Sequence, residues 1–399
     1  MRRSLIISGI AIAALILGGI IYFFLTKSGP AVSVAPSGSV NLPVAGQGGT
    51  GGFATTPDQG SLEAPVAVGT RLTKISAGPV VPGVIAVDTT SGGATSSPET
   101  SIEFIERASG NVFSYLFRGK TLTRVSSKTI PSIQNATWLP DGSVAFVRYL
   151  SGDDLSTVNT YALSATSSTG FFLPQNLTDI AVSTNEVLEL SSGVNGSTVS
   201  RVRIDGSHST SLFSTPLSSV RVSYAGRGKY LAFSRPSGSI LGSAFIVDGQ
   251  GVFSRVAGPH FGLVALASHS GKYVLVSYTQ NNALQMELVD TSTNIALQLP
   301  IATIADKCVW TADDSSVYCG VPVNPSAAFQ YPDDWYQGAA HFSDRIWRIE
   351  TAGRYAQLVL DPSTETADSF DIESPAINPS RTVFVFTNKN DGSLWSYAL

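Results

Sequence analysis

The sequence predicts an all-β fold, a seven-bladed β-propeller, from two observations. Short apolar strand cores recur along the 399-residue chain, centred on Glu103, Ala145, Leu188, Ala232, Leu275, Tyr318 and Phe384 at spacings of 42, 43, 44, 43, 43 and 66. A period in the low forties, built from strands without helices, is that of one four-stranded blade per repeat. Composition agrees: 37 Gly, 21 Pro and only 14% charged residues suit short strands and tight turns better than long helices.

Before the repeats, Arg2 and Arg3 precede an unbroken run of apolar and small residues over 5–25, LIISGIAIAALILGGIIYFFL. At helical rise its 21 residues cover roughly 30 Å, the thickness of a bilayer's hydrocarbon core. Only Lys27 follows closely, so the positive-inside rule keeps the N-terminus in the cytoplasm and sends the rest of the chain across the membrane. Residues 1–27 thus read as the signal-anchor of a single-pass cell-membrane protein. The alternative is a cleavable signal peptide, whose apolar region is shorter and ends in a small-residue cleavage site. Residues 28–70 are mostly Gly, Pro, Ser, Ala, Val and Thr, with Asp58 and Glu63 the only charges. Such a segment buries too little apolar surface to offset its ordering entropy. It reads as a flexible linker with an r.m.s. reach of roughly 30–40 Å.

Residues 71–399 carry the propeller. In each unit the apolar core named above is the second strand, B, as in Val144-Ala145-Phe146 or Val274-Leu275-Val276. Turn residues precede most of them, among them Pro140-Asp141-Gly142, Gly226-Arg227-Gly228 and Asn378-Pro379-Ser380, because Pro, Asp and Gly suit the dihedrals of a tight turn. Ahead of each turn lies strand A, for example 220–224 or 263–267. Strands C follow at 112–117, 157–163, 198–204, 244–247, 284–289, 345–349 and 394–399. Strands D follow in six units, at 122–125, 171–173, 211–214, 252–256, 295–299 and 356–360. The seventh unit ends at Leu399 without one. Residues 71–76, RLTKIS, alternate like a strand and supply the missing outermost strand, which closes the ring.

The segment Ala136-Thr137-Trp138-Leu139-Pro140-Asp141-Gly142-Ser143-Val144-Ala145-Phe146 resembles the strand-turn-strand of TolB-like propeller repeats, and Cys308-Val309-Trp310-Thr311-Ala312-Asp313-Asp314 is a looser copy. The resemblance to TolB-like and WD-repeat-like propellers spans 71–399. It implies a fold but not a function, because propellers host binders, scaffolds and enzymes alike.

The last spacing exceeds the others by about 23 residues, most of them in 322–342, PVNPSAAFQYPDDWYQGAAHF, between strands B and C of unit six. Loops B–C and D–A share one face of an antiparallel blade, so the insertion belongs where the inter-blade connections converge on the channel. Phe329, Tyr331, Trp335 and Tyr336, with Asp333, Asp334 and His341, have the composition of a surface that contacts protein, peptide or glycan. The other reading is a self-packed loop that caps the channel.

Cys308 and Cys319 fall directly opposite each other when the A–B turn sits at Asp313-Asp314, close enough for a disulfide. Outside the cytoplasm that pair oxidises; a free thiol pair is the alternative. The four histidines form no metal-ligand pattern, and the chain has no Walker loop, no Gly-x-Ser-x-Gly elbow and no EF-hand array, so no cofactor, metal or catalytic residue is expected. A net charge of −4 and the lack of a basic stripe argue against nucleic acid. These features together suggest an extracytoplasmic binding or scaffolding module of the cell envelope, more readily than an enzyme. The alternative is an envelope glycan hydrolase or lyase with its site in the channel. That would gather carboxylates or histidines at the starts of strands A, where Asp179 and Asp306 are the visible acids.

Overall fold

The computed structural model of the protein describes residues 66–67, 71–76, 78–89, 99–126, 130–165 and 170–399. The apolar run 5–25 and nearly all of the linker lie outside them. Among the described residues no helix is long and apolar enough to cross a membrane. The described chain is nearly all strand, in antiparallel sheets. Units one, two, three and six each form a four-stranded sheet in sequential order. In unit six the strands are Cys308–Trp310, Ser316–Pro322, Asp344–Glu350 and Ala356–Leu360. Among the described residues helical structure is confined to single turns, including the α-helix α1, Asp333–Tyr336.

Units four and five depart from the expected pattern. Strand D of the one and strand A of the other form a single strand, Phe253–Ala267, which merges the two units into a seven-stranded sheet. Its first part pairs with Leu241–Asp248 and its last part with Tyr273–Gln280, and Phe261 faces both Leu241 and Thr279. The strand does not break because its link keeps a bonding neighbour: Gly242 still pairs with His260.

In the seventh unit Leu72–Ser76 pairs antiparallel with Leu394–Ala398, Leu72 opposite Tyr397 and Lys74 opposite Trp395. The N-terminal end of the described domain therefore completes the C-terminal sheet. The junction is also held from the side: Arg71 Nε donates to the Ala398 carbonyl at 2.7 Å and its guanidinium lies 4.7 Å from the Tyr397 ring centre. Leu72–Ser76 is not the outermost strand, however. A two-residue strand, Val66–Ala67, pairs along its free edge and shields it.

Alternate residues of each strand serve opposite neighbours, as the two-residue period of a strand requires. On Glu186–Gly193, Val187 packs toward unit two, whereas Leu188 and Leu190 pack toward unit four. Apolar clusters of this kind join each unit to the next, and one of them joins unit seven back to unit one through Val383, Val385, Ile102 and Phe104. The cluster between units four and five is the largest. It also takes in Tyr331, Trp335, Ala340 and Phe342 from the insertion.

Candidate functional site

The insertion leaves strand Ser316–Pro322, runs exposed through 323–330, turns once as α1 and returns to strand Asp344–Glu350. Its aromatic residues divide by direction. Tyr331 and Trp335 are each 2% exposed and turned into the protein, whereas Phe329 and Tyr336 are 36% and 37% exposed. His341 is exposed as well. Asp333 and Asp334 are half-buried and occupied. Asp333 Oδ2 accepts from the Gly238 amide at 2.7 Å and from Ser237 Oγ at 3.2 Å, and Asp334 Oδ2 accepts from the Gln330 amide at 2.6 Å. Tyr331, Trp335 and Asp333 thus anchor the loop, and Phe329, His341 and the exposed part of the Tyr336 ring remain for an outside contact, the Tyr336 hydroxyl being bonded to Asp306.

Two glycines let the loop come so close. A Cβ on Gly238 would lie 2.7 Å from the Tyr331 carbonyl oxygen, and one on Gly262, where φ is +63°, would lie 2.6 Å from the same atom. Any other residue at either position would push the insertion away. Thr279 Oγ1 donates to that carbonyl at 3.1 Å and completes the seat.

Beneath α1 lies a group of charged residues with no access to water. Lys307, immediately before strand A of unit six, has a side chain that is 0% exposed, as have Asp344 and Asp371. Lys307 Nζ donates to Asp344 Oδ2 at 2.8 Å, to the Ile372 carbonyl at 3.0 Å and to Asp371 Oδ1. Trp335 Nε1 donates to both oxygens of Asp371, at 2.9 and 3.1 Å, and the Phe342 amide donates to Asp371 Oδ2 at 3.2 Å. Lys307 Nζ also sits 4.8 Å from the ring centres of Trp335 and Phe342. Burial pushes the Asp344 carboxyl up to about 6; Lys307 pulls against this and the nearby Asp371 charge adds to it.

A second polar group, around Arg221 and Asp306, meets α1 through Tyr336. Arg221, on strand A of unit four, donates to Asp306 Oδ2 at 2.7 Å, and Tyr336 OH donates to the same oxygen at 2.7 Å. Burial works against the Arg221 guanidinium, but Asp306 and Tyr336 beside it prevail and hold its pKa above the ordinary value. Asp179 accepts from the Val222 amide at 3.0 Å; burial raises its pKa, against the pull of Arg221. A cavity of about 280 Å³ opens here between Arg221, Leu266, Asp306, Trp335, Tyr336 and Glu373. A second cavity, of about 240 Å³, is bordered by Gly238, Thr279 and Phe329 on the outer side of the insertion. Among the described residues no group of three or more His, Cys, Asp and Glu side chains is arranged to hold a metal ion.

Cys308 faces Cys319 across the A–B hairpin with Cα atoms 4.1 Å apart, and the two are joined as a disulfide. Cys308 follows Lys307 directly and borders the cavity beside Arg221 and Asp306. The buried charges at Lys307, Asp344 and Asp371, the Arg221–Asp306 pair and the two seating glycines were not singled out from sequence. Lys307 and Asp371 are 64 residues apart, a separation no local pattern connects. The one signal read from sequence was Asp306, which with Asp179 was a visible acid at the starts of strands A; Asp371, just before Ile372–Ile377, holds a like position.

No protein-family model matches the chain, and no curated protein matches it. Solved structures do. An oligogalacturonate lyase in complex with manganese aligns at 9% identity over 80% of this chain and 98% of that one, with a TM-score of 0.53. A chain of the mitotic checkpoint complex aligns at 10% identity over 86% of this chain and 99% of that one, with a TM-score of 0.52. TolB from Acinetobacter baumannii aligns at 11% identity over 73% of this chain and 82% of that one, with a TM-score of 0.46. The first two alignments carry the fold: the chain is a β-propeller. At such identities the likeness extends no further than fold.

Proposed function

We propose that this protein is a seven-bladed propeller, held at the cell envelope by a membrane-spanning N-terminus, that binds or scaffolds a protein, peptide or glycan on its insertion face. The blade number rests on the seven repeat units and on the clusters that join each to the next and the last to the first. The anchor rests on the length of the apolar run over 5–25 and on the charge around it.

The observation that carries the binding reading is the division of labour within the insertion. Buried Tyr331 and Trp335 and the bonded Asp333 fix the loop, while Tyr336 and Phe329 stand at the edges of two cavities. A rigid frame with projecting aromatics binds at low entropic cost. Asp306 is ion-paired with Arg221 and Asp179 takes backbone amides, so both acids serve structure, which favours binding over acid–base chemistry.

The test is photo-crosslinking in native membranes with the full chain, followed by a pull-down and a glycan array. Tyr336→Ala combined with Phe329→Ala alters side chains that are over a third exposed and leaves the anchors in place. Loss of the captured partner in that variant, with thermal stability retained, supports the reading. Capture equal to wild type overturns the insertion as the site.

A further inference from the structure

We propose that Lys307 and Asp371 are a covalent modification site, joined by an isopeptide bond between Lys307 Nζ and Asp371 Cγ that forms without any other reactant. The geometry supplies each part such a condensation needs. The amine and the carboxylate are in direct contact, their side chains are 0% exposed, and they are held from opposite sides. Contact of this kind replaces a bimolecular encounter with an intramolecular one. Exclusion of water also removes the solvent that would otherwise stabilise the separated ions and reverse the reaction by hydrolysis.

Asp371 is the electrophile because its oxygens are the ones held by donors. Trp335 Nε1 and the Phe342 amide both point at them, and would steady the negative charge that develops on oxygen when nitrogen attacks Cγ. Asp344 is the proton carrier. Its Oδ2 already accepts from Lys307 Nζ at 2.8 Å and from the Ile372 amide at 2.7 Å, while Oδ1 is buried without a hydrogen-bond partner. One ammonium between two carboxylates leaves an excess negative charge in a site without water, which favours transfer of a proton onto a carboxylate. Burial raises the Asp344 pKa to about 6, so its carboxylate is a stronger base than an ordinary one and is placed to take a proton from Lys307.

The step balances within these three side chains. The Lys307 ammonium gives a proton to Asp344, and the resulting amine attacks Asp371 Cγ. A second proton then leaves the nitrogen as the tetrahedral centre collapses. Both protons end on the departing Asp371 oxygen, relayed by Asp344, so the Nζ–Cγ bond forms, a Cγ–O bond breaks and one water leaves. Asp344 returns to its starting state. No oxidant, metal or activated donor takes part. The product ties the start of unit six to the start of unit seven beneath the insertion.

Mass spectrometry of the full-length protein decides the matter. A proteolytic digest of the wild type is expected to contain a branched peptide joining the segments that hold Lys307 and Asp371, one water lighter than their sum. The digest readout does not depend on processing at the N-terminus. Recovery of the two segments only as separate, unmodified peptides overturns the proposal, and a branch ending at Asp344 overturns the assignment of electrophile and acid. Asp344→Asn keeps both reacting groups and is expected to lose the branched peptide while near-ultraviolet circular dichroism still reports a folded core. Undiminished bond formation in that variant overturns the role of Asp344, and the wild-type digest stands as a test even where the variant does not fold.

Discussion

Units three and six each bury a carboxylate, and they treat it differently. Glu189, in the middle of strand B of unit three, is buried, has an oxygen without a hydrogen-bond partner, and has a pKa raised by burial alone. Asp344, at the start of strand C of unit six, meets an ammonium, a backbone amide and the neighbouring Asp371. Unit three is a regular repeat, in which a polar group can only be covered by its neighbours' strands. Unit six carries the insertion, and with it Trp335 and Phe342, which roof over a lysine and allow three charges to share one dry space. The irregular unit is therefore where this propeller concentrates its ionic and disulfide cross-links, while its regular units rely on apolar packing between sheets.

That contrast can be broken by substitution. The largest effect is expected from Trp335→Ala, which removes a buried ring together with the donor to Asp371: a loss of about 3–5 kcal/mol in urea unfolding. A cost below 1 kcal/mol would mean that the insertion does not roof the charged site. Next comes Cys308→Ser with Cys319→Ser. The disulfide closes a short loop, of sequence separation 11, and its removal should cost about 3 kcal/mol by the same measurement.

Glu189→Gln tests the other side of the comparison and carries the opposite sign. Its folded pKa is raised, so the carboxyl favours the folded state fully only at low pH and loses that contribution as pH rises through the folded value. The neutral amide should therefore stabilise the protein by about 1 kcal/mol at neutral pH and flatten this dependence. Destabilisation would show that the carboxylate has a partner after all.

The smallest effect concerns Asp313 in the A–B turn of unit six, whose pKa is lowered to about 2 by hydrogen bonds from Ser315 and Thr311. A depressed carboxylate contributes above its unfolded pKa and ceases to as pH falls through the folded one. Amide exchange of the Ser315 N–H should accordingly speed up between about pH 4 and pH 2. An unchanged exchange ratio relative to Asp313→Asn over that range would remove the turn from the account.

Much of the fold was legible in the sequence because a propeller is a nearly one-dimensional object. Each unit needs an apolar strand B and a turn ahead of it, and these are local features that recur at a fixed distance. The pairing of Leu72–Ser76 with the last unit followed from a count, since the seventh unit lacked a strand and one strand-like segment stood unassigned. The fusion of units four and five did not follow, because 252–256 and 263–267 read as two separate strands. In the structure Gly258 and Gly262 take positive φ, and pairing on both sides carries the strand past them with shifts of register. The insertion was likewise visible as an irregular interval, but the direction of its side chains was not. Composition alone grouped Tyr331 and Trp335 with Phe329 and Tyr336, and only burial separates them.

The sequence by itself determined the repeat, the strand that joins the two ends of the domain, the position of the insertion and the opposition of the two cysteines. All of these depend on spacing along the chain, which the two-residue period and the hairpin turns translate directly into neighbours. Only the tertiary structure decided which residues meet across units. Lys307 reaches Asp371 over 64 residues, Arg221 reaches Asp306 over 85, and Gly238 makes room for Tyr331. Packing of the units against one another creates those contacts, and no local periodicity encodes them because each partner sits in its own unit as an ordinary residue near a strand end.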